Sequence, residues 1–442
     1  MGRCMIMSIT VSSVLGVLIA TALIIYLAYE GFEPLLCFPL CAMLICITSG
    51  ISITEGIVGT YCTAFGTMVG KMLFTYLWAT MLGKAMTESC LGASLAEWLA
   101  KIVPVEFAPT TMLVIGILLS LTGMSLGAYL VIFPIGMVLC SKANYSKDII
   151  LGSIFAGSWT FINAAPLMPS NCNYLISSYL GTPTTAGLIP GMTACVVMVI
   201  LNAIYLQWQA AHWRKKGHGF DDWDELRGNE EGAPALPAVW KAFVPILIVM
   251  ILYNVLEVSL PLCLGLGALS CCLLEWKRHT FKEWFVILSE GMLSGMKALL
   301  NIGTKGALGG VVALTPCYAL LMDNINKMNI SPYLTAFIAA NVMALVLGSA
   351  SSACGTLSSA MQPNFAEWAA AGTADLGNIH RMVAIGSIGL DSLPHNGTIL
   401  ATCEMFGVKM KRAYPPVLIT CTIVPIVIGF TVALPMMMIG LK

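Results

Sequence analysis

What most limits this chain is how little of it can face water. From Ser8 to Ala28 it carries no charge, and apolar runs of similar kind recur to the C-terminus. An α-helix rises about 1.5 Å per residue, so roughly 20 apolar residues cross a hydrocarbon core of about 30 Å. Stretches near that length lie at Ser8–Leu27, Pro34–Ile53, Val69–Met86, Thr110–Ser125 onward, Ile149–Phe161, Ala186–Gln207 and Phe243–Val258. Others follow at Leu260–Leu274, Trp284–Leu300, Ala307–Met322, Tyr333–Leu347, Met382–Cys403 and Val417–Ile439. Lipid offers the backbone no hydrogen bonds, so such spans must be helices. The chain therefore reads as an all-α polytopic membrane protein with about 12 transmembrane segments. A hydrophobic content of 58%, only 10% charged residues and a mean hydropathy of +0.86 agree.

A formal net charge of +0 gives no reason to expect a nucleic-acid partner. The 16 cysteines are scattered through apolar segments and no CxxC occurs, so they read as buried free thiols rather than a metal or redox site. No metal or organic cofactor is expected. Ser8–Ala28 is followed by acidic residues and reads as a retained first helix, not a cleaved leader.

The longest polar stretch, Gln207–Lys241, lies near the centre and is rich in charge, Gly and Pro. It divides the chain into a first membrane half (1–208), a linker (209–241) and a second membrane half (242–442). His212 and His218 in it lack ligand spacing and read as solvated. The halves repeat one order of features. Glu55-Gly56 and Glu290-Gly291 each precede a Gly/Thr-rich helix, although either acid could simply cap a helix. Small hydroxyl-rich breaks follow at Leu121–Ala128 and Leu347–Thr356, then proline-bearing breaks at Gly157–Asn173 and Gly386–Thr398. Lys142 and Lys147 follow the first hydroxyl-rich break, whereas Glu367 and Asp375 follow the second; that asymmetry puts them on opposite faces, as two inverted repeats require.

The stretch Met382–Glu404 is the chemical centre of the sequence. Its apolar flanks enclose Gly389-Leu390-Asp391-Ser392-Leu393-Pro394-His395-Asn396-Gly397-Thr398. Proline removes a backbone donor and glycine loosens the helix, so two half-helices meeting at an unwound centre are expected. Irregular backbone at membrane depth survives only inside protein or beside a wet cavity, and broken helices there build the substrate sites of secondary transporters. Half-helix N-termini facing one another across the midplane would favour a carboxylate. A carboxyl inside a membrane is costly to ionise, so Asp391 can carry a proton, with His395 sharing it. The competing reading makes Asp391 a helix cap accepting backbone N–H groups. Lys71, Lys84, Lys297 and Lys305 fall in apolar segments and are expected to snorkel, with Lys305 also a candidate anion partner.

At these motifs the chain resembles the gluconate permease (GntP) family, specifically its D-beta-hydroxybutyrate permease-like branch. Gly389–Thr398 (GLDSLPHNGT) is similar to the family signature, and Leu347–Thr356 (LGSASSACGT) to its GSASGG-type segment. Ala165–Gly191, with Pro166, Pro169, Asn173, the run Tyr179–Thr184 and Pro190-Gly191, resembles the branch's proline/asparagine break and following loop. Gly70–Leu73 and Gly83–Ser94 look like its third-helix region. The resemblance implies a proton-coupled carboxylate symporter of the ion transporter superfamily. It also implies inverted repeats with broken or re-entrant helices, a scaffold and a transport domain, a homodimer and an elevator-type mechanism. Carried over, the substrate-binding positions are Ser349, Ser351, Ser352, Ser392, Asn396, Asn163, Ser170, Asn171 and Asn173, with Asp391 and His395 coupling the proton. The chain departs from the branch at Ala165–Ser170, at Ala353-Cys354 and at Lys305.

The expectation is thus a symporter in the cytoplasmic (inner) membrane for a small hydroxy-monocarboxylate, with 3-hydroxybutyrate ahead of gluconate. A sodium-coupled carboxylate symporter is the near rival. A membrane-embedded hydrolase using Asp391, Ser392 and His395 is the distant one, since Ser392 lies in no GxSxG elbow and no HExxH is present. A channel would show uncoupled flux.

Overall fold

Proline, serine and threonine set most of the helix starts, and glycines set several of the ends. A computed structural model describes residues 2–120, 125–168, 170–220, 236–254, 256, 258–326 and 330–442. Among these residues all regular structure is helical. Helices α1 (Gly2–Glu30) and α2 (Pro34–Thr48) form a hairpin, with Pro34 at the first turn, where its missing N–H costs nothing. A π-helical turn over Thr54–Tyr61 leads into α3 (Cys62–Glu88), and the pair bends by 47° between Gly70 and Met72. Next come α4 (Leu91–Ile102), α5 (Ala108–Ser120), α6 (Ser125–Ala143) and α7 (Ile149–Ala164), the last carrying a π-helical turn at Ala156–Phe161. After a break come α8 (Asn171–Leu180) and α9 (Leu188–Lys215).

The second half holds α10 (Val239–Asn254), α11 (Leu260–Leu274), α12 (Phe281–Ala313), α13 (Pro316–Asn326), α14 (Pro332–Leu347) and α15 (Ala350–Ala370). It closes with α16 (Leu376–Gly389), α17 (Gly397–Met405) and α18 (Met410–Met438). Four helices, α1 (from Ile9), α9, α12 and α18, are long and apolar enough to cross a membrane, and the bent pair ending in α3 makes a fifth. Shorter apolar helices include α2, α7 and α14. This is a polytopic membrane protein.

Three sequence expectations change. The separate spans Trp284–Leu300 and Ala307–Met322 give way to one helix, α12, ending just before Pro316; its glycines are a packing face, not a break. Glu290 is no helix cap: it lies within α12, 3.5 Å from Lys84, which also pairs with Glu88 at 3.1 Å. Lys297 likewise pairs with Glu33 at 3.2 Å. The polar linker begins later than 209, because α9 continues to Lys215, and its residues 221–235 lie outside the described residues. So do 121–124 of the first hydroxyl-rich break, Pro169, and the side chains of Lys71 and Lys305.

Helix α12 runs antiparallel along α3 on a glycine seam. Cβ atoms built at Gly291, Gly295 and Gly303 would approach Met81, Thr80 and Val69 to within 3.0 Å, so only glycine allows this separation. Close approach of small residues is how helices gain dispersion contact where lipid supplies no hydrophobic drive. At Gly295 the obstruction includes the Tyr76 carbonyl at 2.8 Å, which is backbone and cannot rotate away. Gly295→Val should therefore cost about 1–3 kcal/mol by overpacking. Thermal unfolding in detergent should start at a lower temperature than in the native protein. Gly66→Ala, where nothing lies within 4 Å, should not lower it.

Buried clusters mix residues from both sides of the polar stretch. Ile162, Cys172 and Met198 share a core with Phe337, Met361 and Ile385. A second cluster packs α1 and α2 on α12 through Ile24, Phe38, Leu308 and Val311. The first core holds the two proline-bearing breaks in one assembly.

Candidate functional site

Three helix N-termini, each with its own side-chain cap, are built from the motifs that stand out in the sequence. At α8 the Ser170 hydroxyl accepts from the Asn173 N–H at 3.1 Å. At α15 the Ser349 hydroxyl accepts from the Ser352 N–H at 3.3 Å, just past Gly348, whose left-handed φ of 56° ends α14. At α17 the Asn396 Oδ1 accepts from Thr398 and Ile399 N–H groups at 2.8 and 3.3 Å. Such caps satisfy amides that the first helical turn leaves without carbonyl partners.

The starts of α8 and α15 lie side by side. Cys172 Sγ is 3.8 Å from Ser351 Oγ, and Leu175 packs over Gly355, so the two helices run parallel from neighbouring origins. Their positive ends point the same way, and their dipoles add at one place. Ser349, Ser351 and Ser352 are half-buried there, Asn171 is exposed, and Asn163 is half-buried on the last turn of α7.

The second break is drier. Asp391, Ser392, His395 and Asn396 are all buried. After a short 3-10 turn at Leu390–Ser392, Asn396 Nδ2 donates to Asp391 Oδ1 at 2.8 Å and to the Asp391 carbonyl at 2.9 Å. One asparagine thus holds the acid with its amide N–H and caps α17 with its amide oxygen. Ser392 donates to the Ile388 carbonyl at 3.2 Å, and Tyr414 donates to the Ser392 carbonyl at 3.2 Å. His395 donates from Nε2 to the Leu345 carbonyl at 3.2 Å, at the end of α14. The α14–α15 turn therefore touches the second break on one side and α8 on the other. Cys354, one turn into α15, completes the link by donating to Ser387 of α16 at 3.1 Å.

Two side chains were missed by sequence reasoning. The span expected to begin at Met382 belongs to a helix beginning at Leu376, so Arg381 lies inside the protein, fully buried. Its guanidinium donates to the Ala164 carbonyl and Asn173 Oδ1 through NH1 (2.8 and 3.0 Å), to the Thr184 and Ala186 carbonyls through NH2 (3.1 and 2.9 Å), and to Ala186 again through Nε at 3.1 Å. Every N–H of the fork is used. Its aliphatic stem runs over Gly187 and Gly191, where a Cβ would come within 2.8 Å of it. Asn173 in turn donates to the Ala165 and Met168 carbonyls, and accepts from His380 Nε2 at 3.3 Å, so its amide holds the first break in shape. The other missed residue is Asn341 of α14. It is 7% exposed, its Oδ1 accepts no hydrogen bond among the described residues, and that oxygen faces Gly389 so closely that a Cβ there would be 2.5 Å away. Only a polar residue within the apolar run Tyr333–Leu347 signalled it.

Among the described residues no cluster of His, Cys, Asp and Glu has metal-binding geometry. The profile of the GntP family of permeases matches residues 9–263, more than half of the chain. A relative in Bacillus subtilis (strain 168), described as an uncharacterized transporter, YxjC, is 23% identical over 443 residues, covering 90% of this chain and 93% of its own.

Proposed function

Because the chain belongs to the GntP permease family, and is a transporter rather than an enzyme, we propose that it is a proton-coupled symporter of a small hydroxy-monocarboxylate. The observation that carries the reading is the pair of serine-capped helix starts, Ser170 of α8 and Ser349 of α15, lying side by side and joined to the break that holds the fully buried Asp391 through the Cys354–Ser387 and His395–Leu345 contacts. Adjacent parallel helix origins supply amide N–H groups and partial positive charge for a carboxylate. The hydroxyls of Ser349, Ser351 and Ser352, with Asn163 and Asn171, suit a substrate hydroxyl. Ser170, Asn173, Ser392 and Asn396 shape the two breaks. Asp391, with His395 beside the same turn, accepts and releases the proton.

On this reading 3-hydroxybutyrate is the first substrate to test and gluconate the second. The protein would work in the cytoplasmic membrane as a homodimer of inverted repeats, and the antiparallel pairing of α3 with α12 supports that repeat. Lys409, Lys411 and Arg412 would face the cytoplasm. Sodium coupling is a second reading, favoured by the Asn341 oxygen that accepts no hydrogen bond among the described residues, since an amide oxygen beside unwound backbone suits a small hard cation.

Proteoliposomes separate the two. Adding 3-hydroxybutyrate outside should acidify the lumen without sodium, and gluconate should do so more weakly. Labelled substrate entering only under a sodium gradient at fixed pH, with no acidification, would replace proton coupling by sodium coupling.

A further inference from the structure

Away from the breaks, a cavity of about 570 Å³ opens between the α1–α2 turn and the start of α18. One wall is the turn Glu30–Glu33, the other Lys409–Arg412, and deeper in lie Asn301 of α12 and Leu400 and Cys403 of α17. Leu400 is less than one helical turn past Gly397, where α17 leaves the second break. We propose that this cavity is a cation-rimmed vestibule through which a small organic anion reaches the break. The inference rests on the carboxylate reading above and adds the path and the groups that guide the anion.

The charges decide the sign of the field. Glu30 is matched by Lys411 at 2.6 Å, Glu33 by Lys297 at 3.2 Å, and Arg412 by Asp148 at 3.0 Å. Lys409 is exposed at the mouth and forms no ion pair among the described residues. Among the described side chains the matched pairs nearly cancel, so the Lys409 ammonium sets the potential of the mouth. The first amides of α18, which carry no side-chain cap from Lys409, add to it. A cleft with one dominant sign and low-dielectric walls concentrates the opposite ion and speeds its arrival. The volume lies within the usual range for small-molecule sites, and Phe32, Leu400 and Val408 provide apolar wall for a short carbon chain.

Cys403 is a free thiol in this wall, 6% exposed, and reports on the path independently of transport. The full-length protein in nanodiscs would be treated with an anionic (sulfonatoethyl) and a cationic (trimethylammonioethyl) methanethiosulfonate. Each rate would be normalised to that of a small thiol and read at Cys403 by peptide mass mapping. The anionic reagent should be favoured by roughly tenfold at low salt. Lys409→Glu should abolish that preference and Lys409→Gln reduce it, and about 1 M salt should level all three. Modification of Cys403 by neither reagent, while exposed Cys62 reacts, would overturn the vestibule, as would an anion preference unchanged in Lys409→Glu. An anion preference that needs Lys409 in a protein moving no hydroxy-acid would keep the vestibule and remove the substrate assignment.

Discussion

Arg381→Met should leave little monodisperse protein after extraction from the membrane. The substitution keeps most of the stem volume over Gly187 and Gly191 but withdraws every donor from the carbonyls of Ala164, Thr184 and Ala186 and from Asn173. These acceptors belong to the first break and to the loop leading into α9; those of Ala164, Ala186 and Asn173 are buried with the guanidinium, whereas Thr184 is exposed. Each buried group left unsatisfied costs on the order of 1–3 kcal/mol, so the total reaches several kcal/mol, comparable with the whole stability of a domain. Arg381→Lys should recover only part of this. A single ammonium has three donors and no planar fork, and cannot reach both NH1 and NH2 partners. Size-exclusion profiles and thermal unfolding in detergent are the measurements. A well-behaved Arg381→Met protein melting within ~1 kcal/mol of the native one would contradict the clamp.

Asp391→Asn tests chemistry rather than folding. An asparagine oxygen can still accept from Asn396 Nδ2, and the Asn396 bond to the residue 391 carbonyl is untouched, so the change in stability should stay within about 1 kcal/mol. The side chain can no longer bind and release a proton, so acidification driven by 3-hydroxybutyrate should vanish. Exchange of labelled for unlabelled substrate, which needs no net proton movement, should persist. If acidification survives in the variant, the proton travels elsewhere. Asn396→Ala is a sterner change, because it removes the α17 cap, worth about 1 kcal/mol, together with a donor to the buried acid.

The membrane class and the broken segment at Asp391–Asn396 were legible because their signals are local. A proline, flanking glycines and polar groups inside an apolar run dictate an interrupted helix wherever it is packed. Ser170, Ser349 and Asn396 were named as binding positions through the family resemblance and not as caps, although each cap depends only on neighbours two or three residues away. Arg381 was not, because its acceptors come from residues remote in sequence, and at the edge of an apolar run it looks like any interfacial arginine. The glycines of α12 misled for the converse reason: Gly303 and Gly306 weaken a helix in isolation, yet packed on α3 they are what brings the helices together. The parallel placement of α8 and α15 depends on how two distant hairpins assemble, and no periodicity encodes it.

The three caps also bear on what happens between turnovers. A symporter must return across the bilayer with nothing aboard, and bare helix ends would then bring unmet N–H groups and uncompensated charge through an oily surround. On the symport reading proposed above, Ser170, Ser349 and Asn396 would prevent this, each oxygen already occupying amides that an incoming carboxylate would otherwise meet empty. Its cargo would then compete with resident oxygens instead of filling a void, trading tight holding for quick release.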